Sequence, residues 1–259
     1  MKELNKNISL VFFVSNLTKT IKKTIIFALM GVVNMKIDER IINSYIVELN
    51  NIYTSEIKRV ENEFKQTKNK SLLEVRKHLK IELEGITKLY KNINNLHPEL
   101  GISPFLCLAN QNLFPSGGAF RESNALVTNS NVKCTDPKKI SKELKDLDSI
   151  FADILILGKY IGENNDYTKV DDYIRQVLTL KAKVVNIHPF IDGNGRCSRV
   201  LTDYLFMIAN INVRPVNKFN DDRIDYVNAM ANAINSDYVD LINYYSNHIS
   251  YEKGKTYEK

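Results

Sequence analysis

Twelve consecutive residues, His188-Pro189-Phe190-Ile191-Asp192-Gly193-Asn194-Gly195-Arg196-Cys197-Ser198-Arg199, bring a base, a carboxylate, a glycine-flanked turn and two guanidinium groups into one stretch. His188 titrates near neutral pH and can take a proton from an attacking hydroxyl. Gly193 and Gly195 permit positive φ, which turns successive N–H groups towards one point and lets a bulky anion approach the backbone. Asp192, beside that turn, is a hard oxygen ligand of the kind that holds Mg2+ bridged to polyphosphate oxygens. Arg196 and Arg199 lie three apart on one helical face, and their planar forks match phosphate oxygens better than lysine does. Together these residue types point to transfer of a phosphorus-centred group from a magnesium-bound polyphosphate to a hydroxyl.

Such groups need rigid elements on either side. Val170, Ile174, Val177, Leu178, Val184 and Val185 recur at helical spacing, which predicts a helix ending at His188, with Pro189 preventing its continuation. Val200, Leu201, Tyr204, Leu205 and Ile208 predict a second helix from Arg196, so the glycine turn feeds a helix N-terminus, where phosphate binds favourably. Further upstream, helical periodicity runs from Ile37 to Asn95, and Pro98 with Gly101 marks its boundary.

The twelve residues match, at every defining position, the motif His-x-Phe-x-Asp/Glu-Gly-Asn-Gly-Arg-x-x-Arg, and the chain from about Ser103 to Ser250 resembles the Fic family. Gly118-Ala-Phe-Arg121 and the extended Ala125, Leu126, Val127 and Thr128 resemble that family's flap, and Arg223-Ile-Asp-Tyr226 and Asp237-Tyr-Val-Asp-Leu-Ile242 its closing helices. The resemblance implies a mainly α fold: a Fic-type helical core, a β-hairpin flap and an N-terminal helical layer. It also implies an adenylyltransferase that joins AMP from ATP, with Mg2+, to a Ser, Thr or Tyr hydroxyl of a protein and releases pyrophosphate. On this basis His188 is the base, Asp192 the metal ligand and Asn194, with the Gly193 and Gly195 backbone, the holder of the α-phosphate. Arg196 and Arg199 grip the outer phosphates, Phe190 is a buried anchor, and Tyr226 marks the adenine pocket by position. Relatives with lysine at the position of Gly195 bind the nucleotide reversed and act as kinases, so glycine there favours AMP transfer. UMP transfer, phosphocholine transfer and AMP removal are alternatives on the same scaffold, and a nucleotide-binding interaction protein is the alternative from another class. A target segment docks by adding a strand to the edge of residues 125–128. The implied partners are ATP, a target protein, the chain itself as acceptor, and a small inhibitor protein.

Many members of this family carry an inhibitory helix with the pattern Ser/Thr-x-x-x-Glu-Gly/Asn, whose glutamate pairs with the second motif arginine. Glu61-Asn62 fits that pattern on a predicted helix, with Ile57 in place of the hydroxyl residue; Glu84-Gly85 fits with Lys80 in that place. The sequence therefore assigns the brake to Glu61, acting on Arg199.

With 259 residues, 44% hydrophobic and 25% charged, the chain can bury one sizeable core plus a helical extension. The organisation expected is an extension at 1–34, a helical regulatory region at 35–98, a Fic domain at 99–250 and a polar tail at 251–259. Net charge is +6 and the pI about 9.0, yet Lys and Arg are scattered among acids and form no stripe, which argues against a nucleic-acid partner. Cys107, Cys134 and Cys197 are isolated, lack metal-ligand spacing, and read as free thiols of a cytoplasmic protein. Within 1–34 the apolar runs are interrupted by Lys19, Lys22 and Lys23, short of the roughly 20 residues of a membrane helix. Lys22-Lys23 and the apolar run after them imitate a short signal or anchor, but no small-x-small cleavage site follows. A cytoplasmic extension, or a translation start at Met35, is expected.

Overall fold

A computed structural model describes residues 35–125, 133–216, 219 and 223–251. Its contacts divide the chain into two compact units, 1–35 and 36–259, and the second contains the helical body. Helix α1 (Glu39–Thr67) starts where the Asp38 carboxylate accepts a hydrogen bond from the Arg40 amide at 2.8 Å, a side-chain cap on the first orphan donors. It buries the stripe Ile42, Tyr45, Ile46, Leu49, Tyr53 and Val60. Lys68 turns left-handed and Asn69 accepts from the Ser71 amide and hydroxyl, so the periodic stretch 37–95 is two helices. Helix α2 (Ser71–Lys91) returns along α1, burying Leu79, Ile86, Leu89 and Tyr90. The Asn94 side chain closes this hairpin by bonding both the amide and the carbonyl of Ile37, at 2.8 and 3.0 Å.

Beyond Gly101 come α3 (Ile102–Leu113), α4 (Ile140–Asn164), α5 (Val170–Ile187) and α6 (Asn194–Ile208). Helix α6 contacts α3, α4 and α5 and is buried on nearly every face, the polar Ser198, Thr202 and Asp203 included. Tyr204, Leu205 and Phe206 on it are fully enclosed, and truncating such a side chain to alanine costs about 2–5 kcal/mol. Helices α7 (Arg223–Ile234) and α8 (Val239–Ser246) pack together and against α5. Strands β1 (Asn212–Val213) and β2 (Ile249–Ser250) pair antiparallel, with Asn212 opposite Ser250, and join the chain after α6 to the chain after α8.

The fold is mainly α. The expected flap lies outside the described residues at Leu126, Val127 and Thr128, and Ala125, at its edge, is in no regular element. No helix among the described residues is long and apolar enough to cross a membrane.

Candidate active site

Helix α5 ends at Ile187, and His188 caps it in the left-handed conformation (φ 51°) with its amide donating to the Val184 carbonyl at 3.1 Å. The chain after it is stitched down from two sides. Arg121, 2% exposed, donates from its guanidinium to the carbonyls of Ile187 and His188 at 3.2 and 2.7 Å, and its amide donates to the Pro189 carbonyl at 2.8 Å. Asn194 is buried, and its side chain spans the turn, donating to the Phe190 carbonyl at 2.7 Å and accepting from the Phe190 amide at 2.9 Å. Phe190 is itself buried beside Phe120. Gly193 adopts φ 86°, and a Cβ there would lie 2.7 Å from the Phe114 ring and 2.8 Å from Asn110 Nδ2, so the turn demands glycine by conformation and by room. Asn110 holds the turn from α3, donating to the Asp192 carbonyl at 3.0 Å while its amide oxygen accepts from Gly118 at 2.9 Å.

Helix α6 begins at Asn194, so its first-turn N–H groups, which have no partner within a helix, follow directly on the glycine turn. A Cβ at Gly195 would meet only Arg199 Nη1, at an ordinary 3.5 Å, which leaves the first turn open to a ligand. The Arg196 guanidinium contacts Asp192 at 3.1 Å, approaches Glu82 at 3.9 Å and lies 4.7 Å from the centre of the Phe114 ring. Asp192 keeps a mostly exposed carboxylate, accepting from the Gly193 amide at 2.5 Å. Arg199 lies among Tyr53, Tyr90, Tyr226 and Tyr245, and the Tyr226 hydroxyl meets it directly. The Tyr226 ring also packs 5.2 Å from that of Tyr244. A small cleft opens between the α1–α2 hairpin and α6, lined by Leu49, Tyr53, Ile86, Tyr90, Arg196 and Arg199 among others.

His188 is half-buried, and burial pushes its pKa below the ordinary 6.5, with the Arg121 charge adding to the effect; the nearby Val185 carbonyl and Asp192 oppose it. The ring is therefore neutral at neutral pH and able to accept a proton. Asp192 is a single carboxylate, and no group of three His, Cys, Asp or Glu side chains that could hold a metal occurs among the described residues. That arrangement fits Mg2+, which binds through one or two carboxylates and completes its shell with phosphate and water.

The Glu61 carboxylate is held by Arg76 at 2.6 Å within the α1–α2 hairpin, and Glu84 is exposed; on α2 it is Glu82, only 14% exposed, that approaches Arg196, at 3.9 Å. Glu82 sits two residues before Glu84, on the helix face turned towards Tyr53, whose phenol is pushed upward by burial and by the Glu82 charge.

A buried polar network supports Arg199 from behind. Asp203, one turn further along α6, accepts from the hydroxyls of Tyr45 on α1 at 2.6 Å and of Tyr90 on α2. Lys181, fully buried on α5, reaches the Thr202 hydroxyl at 3.4 Å and faces the rings of Tyr226 and Tyr245 at 5.9 and 5.6 Å. Burial lowers the Lys181 pKa and raises that of Asp203. Sequence patterning passed over Lys181, Asp203 and Asn110, and read Arg121 only as part of the flap. The first two left a signal: a lysine on the core face between Leu178 and Val184, and a carboxylate inside the run Val200–Phe206.

Residues 82–206, just under half of the chain, match the family model described as Fic/DOC. Fic-1 from C. elegans aligns at 21% identity and a TM-score of 0.50, covering 66% of this chain and 48% of that one, so the present chain spans about half of that Fic-1 structure. BepC, a VirB-translocated effector protein of Bartonella tribocorum with bound AMPPNP, aligns at 16% identity and a TM-score of 0.48 over 67% of this chain and 88% of that one. A Fic-domain signalling protein of Bacteroides thetaiotaomicron aligns at 15% identity and 0.45 over 79% and 93%. No curated protein matches. At these identities the likeness is one of fold.

Proposed function

We propose that this chain is a protein adenylyltransferase, moving AMP from ATP onto a Ser, Thr or Tyr hydroxyl of a target protein, with the chain itself as a further acceptor. The observation that carries this reading is one loop in which a neutral, half-buried His188 precedes a left-handed glycine turn, an open helix N-terminus and two guanidinium groups. His188 accepts the proton of the target hydroxyl as its oxygen bonds to the α-phosphorus; the bond from phosphorus to the pyrophosphate oxygen breaks, and pyrophosphate leaves. The N–H groups of Asn194 and Gly195, after the Gly193 turn, cradle the α-phosphate, and the Asn194 side chain fixes the shape of that turn. Arg196 and Arg199 neutralise the outer phosphates, and Tyr226 serves the nucleotide site through its contact with Arg199. Asp192 would hold Mg2+, which when bound would supply further neutralisation of the polyphosphate. The 125–128 edge receives the target as an added strand.

Restraint falls to Glu82. A carboxylate beside Arg196 competes with the outer phosphates for the same guanidinium.

The test is transfer of label from ATP carrying ³²P at the α position, with magnesium, to the chain and to a lysate. His188→Ala is expected to abolish labelling while ATP binding persists; Glu82→Gln to raise it; Glu61→Gln to leave it unchanged. A fully active His188→Ala overturns the reading. If neither the wild type nor Glu82→Gln is labelled, ATP is not the donor, and UTP and CDP-choline are tried in its place.

A further inference from the structure

Arg121 is enclosed almost completely, and no carboxylate among the described residues forms an ion pair with it. Its guanidinium is spent on four backbone carbonyls: Ile187 and His188 at the end of α5, and Ser123 and Thr135 in the segment leading away from it. A buried cation normally demands an anionic partner. Here the partner is the negative end of α5, whose last carbonyls have no acceptor role within the helix. Planarity matters, because the fork reaches divergent oxygens with donors fixed in one plane, which the tetrahedral ammonium of lysine cannot reproduce.

Three consecutive carbonyls, 187 to 189, terminate on this one residue, two on its side chain and one on its amide. The Asn186 carbonyl is taken by the Thr135 amide at 3.3 Å, and Thr135 is in turn tied to Glu143 of α4 at 2.7 Å. The residue so held is His188, a non-glycine residue in a left-handed conformation that persists only where its surroundings impose it.

We propose that Arg121 is a positioning residue for the transfer reaction: by capping α5 it fixes His188 in the left-handed conformation from which the imidazole serves as base. This rests on the adenylyltransferase reading for its chemistry, but not for its geometry. Arg121 touches no substrate. It belongs to the catalytic apparatus because a base displaced by even an ångström loses much of its effect.

The experiment compares wild type with Arg121→Lys and Arg121→Met, using Mg-ATP binding by calorimetry, single-turnover label transfer at saturating ATP, and hydrogen exchange of the 184–190 amides in the nucleotide-free protein. Arg121→Lys is expected to stay folded, bind ATP within twofold of wild type, transfer at least tenfold more slowly, and lose protection at His188. Arg121→Met should lose more of both; if it fails to fold, the lysine variant alone decides. Transfer by Arg121→Lys within twofold of wild type overturns the proposal, as does a loss of ATP affinity that accounts for the whole rate defect. Unchanged exchange at His188 overturns it as well. A wild type that transfers no label overturns the adenylyltransferase reading instead, and is told apart because the exchange comparison does not depend on it.

Discussion

His188 can act as a base only when neutral, and burial sets its pKa below 6.5. The pH at which kcat/KM reaches half its plateau is therefore expected below 6.5, with activity falling as the pH drops through that point; a half-point above 6.5 in a pH–rate profile contradicts this. The same shift acts on stability. A histidine with a depressed folded pKa binds fewer protons folded than unfolded between the two pKa values, so its contribution is present above about 6.5 and lost as pH falls below it. Gly193→Ala tests the turn. It forces an L residue to φ 86° and drives a Cβ to 2.7 Å from Phe114, and is expected to destabilise by about 1–3 kcal/mol from the backbone alone, with more from the clash. Thermal denaturation measures it.

Among the elements, the α1–α2 hairpin is tied to α6 by the hydroxyls of Tyr45 and Tyr90 on Asp203. Replacing both tyrosines by phenylalanine leaves a buried carboxylate without those donors, and a loss of about 3–5 kcal/mol is expected in urea unfolding. A loss below 1 kcal/mol would mean the network is not a structural tie. The helices themselves were legible because burial enforces the 3.6-residue period: α5 ends at Ile187, one residue before the predicted His188, and α6 begins two residues before the predicted Arg196. The break at Lys68-Asn69-Lys70 was not legible, since neither glycine nor proline marks it. Nor was the approach of Glu82 to Arg196. A pattern gives the spacing of a glutamate on its own helix, but which glutamate meets an arginine depends on the register of α2 against α6, and that is fixed by Ile86, Leu89 and Tyr90 packing at a distance in sequence. The motif loop was readable because each of its residues is constrained by chemistry or by backbone within the loop itself.

On the scale of the molecule, residues 36–259 form a compact unit, so a chain reduced to 35–259 is expected to retain its melting temperature within a few degrees and its label transfer in full. The segment 82–206 behaves differently. It lacks Tyr45 and Tyr53 of α1 and the whole of α7 and α8, so Asp203 loses a donor and Arg199 loses much of its aromatic wall. Prepared alone, it is expected to show no cooperative melting transition. The aromatic wall has an optical consequence. The chain contains 13 tyrosines and no tryptophan, and Tyr45, Tyr53, Tyr90, Tyr226 and Tyr245 gather around Arg199 and Asp203. Near-ultraviolet absorbance is therefore tyrosine absorbance, with five of the 13 tyrosines around the cleft, and a polyphosphate arriving at Arg199 should announce itself as a difference spectrum without any label.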